Sequence, residues 1–102
     1  MSGSPTFNFR LYVAGEAVNS ARAQANLLAL CQHHLAGRHH IEVVDVFLQP
    51  ARALADGISM TPTLIRLSPQ PMRKVVGTLS DTATLMQALQ LPPADGAQGE
   101  QR

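Results

Sequence analysis

Apolar and polar residues alternate in the first part of the chain, and the period of the pattern then lengthens. Across residues 7–13 every second side chain is large and apolar, which is the period of a β-strand, and Gly15 ends the pattern. The next apolar residues recur every three or four positions and predict one long helix that stops at Gly37. Asn19 or Ser20 is expected to be the N-cap of this helix. Its apolar face consists of Ala23, Leu27, Leu30, Cys31 and Leu35.

Three more strands are predicted beyond this helix. Residues 41–47 are rich in β-branched and apolar side chains on both faces, which indicates a central strand covered by helices on each side. Because a helix separates it from the first strand, these two strands are expected to pair in parallel. Residues 63–67 and 72–76 form two further strands, and the four residues between them are too few for a crossover, so they predict a hairpin.

Two shorter helices complete the pattern. Pro50 suits the first position of a helix, so residues 51–56 are expected to be helical and to end at Gly57. Ser80 is expected to cap the last helix, where Asp81 suits the positive N-terminal end. The apolar face of that helix comprises Leu85, Met86 and Leu89. The resulting order, βαβαββα, predicts an α/β domain with a mixed sheet.

A proline flanked by two threonines, Thr61-Pro62-Thr63, lies at the entry of the third strand. Proline lacks an N–H group, so it suits the start of a strand better than its middle. Together with the preceding βαβ unit, this arrangement resembles the thioredoxin-like fold, which holds a cis peptide bond before such a proline. The chain has one cysteine, Cys31, and no Cys-x-x-Cys follows the first strand. The redox chemistry usual for that fold is therefore not expected.

Composition and charge narrow the classes of function. The 102 residues carry a formal net charge of +1 with the basic residues scattered, so a nucleic-acid partner is not expected. No apolar run approaches the roughly 20 residues that span a bilayer, and no secretory signal pattern is recognisable, so a cytoplasmic location is expected. Residues 1–6 and the Pro-, Gly- and Gln-rich residues 92–102 are expected to be disordered, leaving one folded domain over residues 7–91.

Several segments, in this order and at these spacings, carry a closer resemblance. They are Leu-Tyr-Val-Ala-Gly at 11–15, Asn-Ser-Ala-Arg-Ala at 19–23, Val-Asp-Val at 44–46, Thr-Pro-Thr-Leu at 61–64 and Arg-Lys-Val-Val-Gly-Thr-Leu-Ser at 73–80. Taken together they resemble the circadian clock protein family KaiB, from about residue 9 to residue 91. Any one of these segments alone is a weak signal.

The resemblance implies a protein that is not an enzyme, needs no cofactor and docks on the N-terminal ATPase ring of the hexameric clock protein KaiC, depending on the nucleotide state of that ring. A sensor kinase or a KaiA-like protein is a further candidate partner, and a homodimer or homotetramer is compatible with the family. The residues expected to contact a partner are Arg22, Ala51, Leu54, Arg73 and Lys74. Gly57 replaces a lysine that many relatives carry, which makes identical partner recognition doubtful.

The family is also metamorphic, because its C-terminal half adopts a second fold in which the last segment is a strand. The residues that matter for this switch are Thr61, Pro62, Thr63, Ala88 and Gln90. Ala88 and Gln90 replace a common glycine and aspartate, and together they are expected to favour the helix by about 1 to 1.5 kcal/mol. The thioredoxin-like form is therefore expected to be the resting state.

Other functions and other sites compete with this interpretation. A stand-alone thioredoxin-like adaptor, in stress response or sensor-kinase signalling and without redox activity, is the main alternative; a redox enzyme that uses Cys31 is the other. Cys31 fits better as a small core residue. Two histidine pairs, His33-His34 and His39-His40, are expected to be solvated, with no metal bound, and Asp45 is expected at a strand end.

Overall fold

The computed structural model describes residues 5–92, and in this range the elements follow the predicted order βαβαββα. The segments expected to be disordered lie largely outside it, at residues 1–4 and 93–102. Within the described range no helix combines the length and the apolar character needed to cross a membrane. The elements are β1 Phe7–Val13, α1 Val18–His34, β2 His39–Asp45, α2 Pro50–Ala55, β3 Thr63–Ser68, β4 Arg73–Val76 and α3 Thr82–Leu89.

The four strands form one mixed sheet in the order β2-β1-β3-β4. β1 pairs in parallel with β2, and β3 pairs antiparallel with both β1 and β4, so the predicted parallel unit and hairpin are both present. The prediction of a central strand at residues 41–47 was wrong. β2 is an edge strand because β3 takes the other side of β1, and it runs from His39 to Asp45, whereas Val46 and Phe47 lie in the following turn.

Alternating side chains place an apolar cluster on each face of the sheet. The larger cluster joins β1 and β3 to α1 and α3, and its fully buried members include Phe9, Leu11, Leu27, Cys31, Leu64 and Leu89. The smaller cluster lies under α2 and consists of Tyr12, Val44, Ala53 and Ile65. The helices therefore cover opposite faces, with α1 and α3 on one face and α2 on the other. α2 covers the face with the smaller apolar cluster.

The first helix begins two or three residues earlier than its sequence indicates. Ala17 is the N-cap, and its side chain makes no capping hydrogen bond, so the prediction of Asn19 or Ser20 was wrong. The Ser20 hydroxyl instead accepts a hydrogen bond from the Ala14 N–H at 2.9 Å and is buried. Its polar group supports the preceding loop, which is a tertiary use that periodicity does not reveal.

Asp81 caps the last helix. The prediction of Ser80 as its N-cap was wrong. The Asp81 carboxylate accepts from the backbone N–H of Thr84 at 3.1 Å, and this hydrogen bond lowers the pKa of Asp81. The helix ends at Leu89, and Gln90 follows with φ 55 in the left-handed region. The helix propensity of Gln90 consequently contributes nothing to α3, which corrects the estimate for the Ala88 and Gln90 pair.

A buried arginine fixes the end of α3 to the β3–β4 hairpin. Arg66 on β3 is 2% exposed; its guanidinium donates to the Leu89 carbonyl oxygen and, at 2.7 Å, to that of Pro71. The same group lies 6.0 Å from the centre of the Phe7 ring. Burial lowers the pKa of Arg66. The Arg66 side chain thus connects the C-terminal end of α3, at Leu89, to the β3–β4 turn at Pro71.

Candidate functional site

Three connecting loops, β1–α1, β2–α2 and α2–β3, lie next to α2 at one end of the sheet. The carboxyl ends of the parallel strands β1 and β2 lie at the same edge, and the antiparallel β3 starts there. The loops border an open cleft of about 200 Å³. Its lining residues are Ala14, Val46, Phe47, Ala53, Ile58, Ser59, Met60 and Thr61.

Large apolar side chains around this cleft and on α2 point into solvent. Phe47 is 73% exposed, Leu48 79%, Leu54 81% and Met60 61%. Ala51 on α2 is exposed as well. We call Phe47, Leu48, Ala51, Leu54 and Met60 the α2 surface. A group of exposed large apolar residues in one region of a small domain is the usual sign of a site for a protein partner.

Asp45, at the end of β2 as expected, holds two of the loops in place. Its Oδ1 accepts from the Phe47 N–H at 2.8 Å and from the Gly15 N–H at 3.3 Å. Gly15 has φ +56, and a Cβ atom there would lie 3.5 Å from the Phe47 ring. The glycine therefore permits the left-handed turn that brings the β1–α1 loop against the Phe47 ring. Asp45 has a structural role at this site.

Charged side chains attach α2 to the edge of the sheet. Arg52 Nη1 on α2 lies 2.8 Å from Glu42 Oε2 on β2. The other carboxylate oxygen of Glu42 lies 2.8 Å from Nε of Arg10 on β1. The hydrogen bonds from Arg52 and Arg10 lower the pKa of Glu42 to about 2. Glu42 is therefore ionised over the whole physiological range of pH.

Asp56, the C-cap residue of α2, attaches the other end of this helix. Its Oδ2 accepts from the Tyr12 hydroxyl at 2.5 Å and from Arg10 Nη1 at 3.0 Å. The Tyr12 hydroxyl also lies 3.1 Å from the carbonyl oxygen of Arg52. The hydrogen bond from Tyr12 is the main cause that lowers the pKa of Asp56. Lys74 on β4 donates to the Asp56 carbonyl oxygen at 2.9 Å. We call Arg10, Tyr12, Glu42, Arg52, Asp56 and Lys74 the charge network.

The predicted partner-binding residues do not form one patch. Ala51 and Leu54 lie on the outer face of α2, and Lys74 lies beside the C-terminal end of that helix. Arg73 starts β4 directly opposite the buried Arg66, on the sheet face that α1 and α3 cover. Arg22 is an exposed residue of α1. The structure thus brings three of the five predicted residues together.

The Thr61–Pro62 peptide bond at the entry of β3 is cis, as predicted. Pro62 is buried, and its carbonyl oxygen accepts from the Gly77 N–H at 2.9 Å. The Thr63 hydroxyl donates to the Met60 carbonyl oxygen at 2.6 Å. Two further cis bonds, Ser68–Pro69 and Gln70–Pro71, lie in the hairpin turn and were not predicted. The Thr61–Pro62 bond lies beside the α2 surface, whereas Ala88 belongs to α3 on the opposite face of the sheet.

The cysteine and the histidines lie away from the cleft. Cys31 is completely buried in the core on α1, and burial raises its thiol pKa to about 12. His34 is also buried, at 6% exposure, with Nδ1 lacking a partner, so the expectation that it is solvated was wrong. His39 and His40 begin β2 and do not lie in a turn. In residues 5–92 no three His, Cys, Asp or Glu side chains are grouped so that they could hold a metal ion.

Sequence reasoning missed the polar half of this site and part of its apolar half. Phe47 was assigned to a strand, although it follows Asp45 in a turn that leads to the proline of α2. Arg10 and Glu42 were not singled out. Arg10 occupies a polar position of the alternating β1 pattern and Glu42 is the only charged residue between apolar neighbours in β2; these were the available signals, but their contact depends on the strand register.

Known proteins resemble this chain over nearly the whole of its folded part. A model of the KaiB domain matches residues 10–91, which include the α2 surface and the charge network. The circadian clock protein KaiB3 of Synechocystis sp. is 38% identical over 84 residues, 82% of this chain and 82% of the relative. The circadian clock oscillator protein KaiB of a Prochlorococcus marinus strain is 38% identical over 91 residues, 89% of this chain and 76% of the relative.

Solved structures share the fold at low sequence identity. The N-terminal domain of Synechococcus elongatus SasA superposes with a TM-score of 0.68 at 19% identity, over 87% of this chain and 88% of that domain. Mitochondrial thioredoxin 3 of Saccharomyces cerevisiae, in its oxidised form, gives a TM-score of 0.67 at 18% identity, over 86% of this chain and 81% of the thioredoxin. The thioredoxin-like fold predicted from the sequence is confirmed.

Proposed function

The chain belongs to the KaiB family of circadian clock proteins, and on this premise we propose that it binds the N-terminal ATPase ring of a KaiC-like protein in a manner that depends on the nucleotide held by the ring. A clock-related function follows from the family. The ring, the nucleotide dependence, the contact residues and a cytoplasmic location belong to the proposal.

The exposed apolar face of α2 is the observation that carries the proposal. Leu54 is 81% exposed in a helix of only six residues, and an exposed leucine with this much free area offers roughly 1.5 to 3 kcal/mol on burial by a partner. Phe47, Leu48 and Met60 extend the apolar area on the neighbouring loops. An apolar centre with a polar rim is the usual arrangement of a protein interface.

Lys74 supplies a basic group at the end of α2, where the family lysine is replaced. A Cβ atom added at Gly57 would lie 3.8 Å from Lys74 Nζ, so the ammonium group occupies space beside position 57. Gly57 has φ +69, which disfavours any other residue in this turn. Within the proposal, Lys74 takes the place of the missing lysine and meets an acidic part of the partner, which would guide association more than it adds affinity.

The test is a binding assay with the purified chain and a hexameric KaiC-like ring. The ring is held either hydrolysing ATP or saturated with ADP, and the captured amount of the chain is compared between the two states. We expect capture to differ clearly between the states. Leu54→Asp should weaken binding at least about tenfold, because it places a charge at the centre of an apolar contact.

Leu28→Asp is the matched control for this substitution. Leu28 is 46% exposed on α1, on the face opposite α2, so the same chemical change there should leave ring binding unaltered. Absence of binding in both nucleotide states would refute the proposal and favour the stand-alone adaptor. Reduction of insulin disulfides that is lost in Cys31→Ser would favour the redox enzyme instead.

A further inference from the structure

The α2 helix is held to the sheet by very little apolar packing. It has six residues, and Ala53 is its only buried side chain. An alanine side chain is a single methyl group, so it buries little apolar area when the helix docks. A helix this short has no stability of its own in water, since isolated helices need about 12 to 15 residues. Other contacts must therefore set the position of α2.

The charged residues of α2 all face inward, and this leaves the outer face without charge. Arg52 and Asp56 are four positions apart and therefore lie on one side of the helix, toward the sheet. Ala51 and Leu54 are three positions apart and lie on the exposed side. The charge network accepts both inward-facing residues, at 2.8 Å for Arg52 with Glu42 and 3.0 Å for Asp56 with Arg10.

We infer that Arg10 and Glu42 are positioning residues of the α2 surface: they fix Arg52 and the C-cap residue Asp56 of α2 to the sheet so that the apolar side of the helix faces a partner. This inference rests on the proposed function of that surface. Neither residue is expected to touch the partner, because both lie beneath the helix. The chemistry that fits the outer face is an apolar protein surface and not a charged one.

The geometry of the two strands makes this pair suited to the task. Arg10 and Glu42 are directly opposite partners in the parallel pairing of β1 and β2, so the sheet fixes their separation. Arg10 contacts Glu42 through Nε and Asp56 through Nη1, so one guanidinium bridges the sheet edge and the helix end. Planar guanidinium groups keep such geometry with little loss of freedom.

The ion pairs of the charge network are partly exposed to solvent, so the attraction that holds α2 depends on ionisation and on salt. The side chains of Arg10 and Glu42 are 23% and 36% exposed, so added salt reaches them and weakens their attraction. Loss of the Glu42 charge removes two ion pairs at once and leaves Arg10 and Arg52 without their shared carboxylate. The inference therefore predicts that, when the Glu42 charge is lost or screened, α2 detaches from the sheet more often while the sheet itself stays folded.

Hydrogen exchange of backbone amides tests this in the free chain, without any partner. The probes of α2 are two backbone amides: the Asp56 N–H donates to the Arg52 carbonyl oxygen, and the Ile58 N–H donates to the Ala53 carbonyl oxygen. The amides in the middle of β1 are the reference. We expect Glu42→Gln to raise exchange of the α2 probes about threefold to tenfold and to leave β1 unchanged. Glu16→Gln, at an exposed loop position, is the matched control and should change neither.

Two further measurements separate the inference from the proposed function. In the wild-type chain, raising sodium chloride from about 0.05 to 0.5 M should speed exchange of the α2 probes relative to β1. In Glu42→Gln, where the Arg10–Asp56 pair remains, the effect of salt should be smaller. Binding of Glu42→Gln to the KaiC-like ring should weaken as far as the closed fraction of α2 falls, because the apparent affinity scales with the fraction of molecules in the binding-competent form. If the wild-type chain does not bind the ring at all, the proposed function fails, whereas the exchange results still decide the inference.

Three outcomes would overturn the inference. One is unchanged exchange of the α2 probes in Glu42→Gln, and another is an equal rise in α2 and β1, which would mean general destabilisation. The third is full ring binding by Glu42→Gln when exchange shows that α2 is open in most molecules. The salt experiment on the wild-type chain requires no substitution: if salt does not speed exchange of the α2 probes relative to β1, the inference fails as well, even if Glu42→Gln folds poorly.

Discussion

Arg10 Nε donates to Glu42 Oε1 over 2.8 Å, and the two residues are direct partners on the parallel strands β1 and β2. The sheet face under α2 therefore has a charged border beside the small apolar cluster around Tyr12 and Val44. The other face is covered by α1 and α3 through a much larger apolar cluster. The two faces thus respond to different conditions: the α2 face to pH and salt, and the core face to changes in side-chain volume.

Acid should weaken the α2 face through Glu42. Its pKa is lowered from 4.5 to about 2 by the hydrogen bonds from Arg52 and Arg10, so the folded state favours the ionised form. The stabilisation of the folded state by ionised Glu42 is complete above pH 4.5, the pKa of Glu42 in the unfolded chain, and is lost as the pH falls toward 2. Urea unfolding from pH 6 to pH 2.5 should show Glu42→Gln less stable than wild type by about 1 kcal/mol at pH 6.

The difference between the two proteins should shrink steadily below pH 4.5, because protonated Glu42 is as neutral as glutamine. Asp81 also has a lowered pKa and lies outside the charge network, so it adds its acid sensitivity to both proteins equally. Asp56 has a lowered pKa mainly through Tyr12, which is present in both proteins. A gap that stays constant down to pH 2.5 would show that Glu42 contributes nothing through its charge.

Tyr12 should control the acidity of Asp56. In Tyr12→Phe the buried ring keeps its place, but the hydroxyl that donates to Asp56 Oδ2 at 2.5 Å is lost. Since that hydrogen bond is the main cause of the lowered pKa, the pKa of Asp56 should rise toward its ordinary value. The free energy of unfolding should fall by about 1 to 2 kcal/mol at pH 7. NMR titration of the Asp56 carboxyl carbon measures the first effect, and an unchanged pKa would contradict the assignment.

The order of elements was predictable because most of them show clear periodicity. β1 alternates cleanly since its two faces meet very different surroundings, and α1 carries a continuous apolar stripe toward the core. Five segments together, at residues 11–15, 19–23, 44–46, 61–64 and 73–80, carried the KaiB resemblance, which the family match confirms. Gly57 and Gly77 both adopt positive φ at the ends of elements, as glycines in such places commonly do.

The failures have a common cause in tertiary contacts. β2 has apolar residues at both parities, which is typical of a central strand, but Val43 is 45% exposed because β2 lies at the edge. Ser20 has the right chemistry for an N-cap, yet its hydroxyl bonds to the Ala14 N–H. The charge network was not foreseen because Arg10 and Glu42 are 32 positions apart and meet only through the strand register.

Cys31 should be unreactive in the folded chain. It is completely buried, and burial raises its thiol pKa to about 12, so thiolate is on the order of a thousandfold rarer at pH 7 than for a free cysteine. Reaction with a thiol reagent should be very slow in buffer and become fast in 6 M guanidinium chloride (roughly the concentration that unfolds most domains). Rapid labelling without denaturant would reveal an accessible thiol and revive the redox alternative.

The resting form of the C-terminal half should depend on Ala88 and not on Gln90. Ala88 lies inside α3, where glycine would cost the helix about 1 kcal/mol, whereas Gln90 lies outside it with φ 55. In Ala88→Gly, the population of a rearranged form should therefore rise about fivefold. Gln90→Asp is the matched control, and it should not favour the rearranged form because aspartate tolerates the left-handed region at least as well.

Solution NMR of the free chain provides the measurement for both variants. Backbone chemical shifts of the wild type should be helical from Thr82 to Leu89, which is the form the structure has. A second, slowly exchanging set of signals should grow in Ala88→Gly and stay at the wild-type level in Gln90→Asp. Strand-like shifts over residues 85–90 in the free wild-type chain would contradict a thioredoxin-like resting state, because they would place the rearranged form below it in free energy.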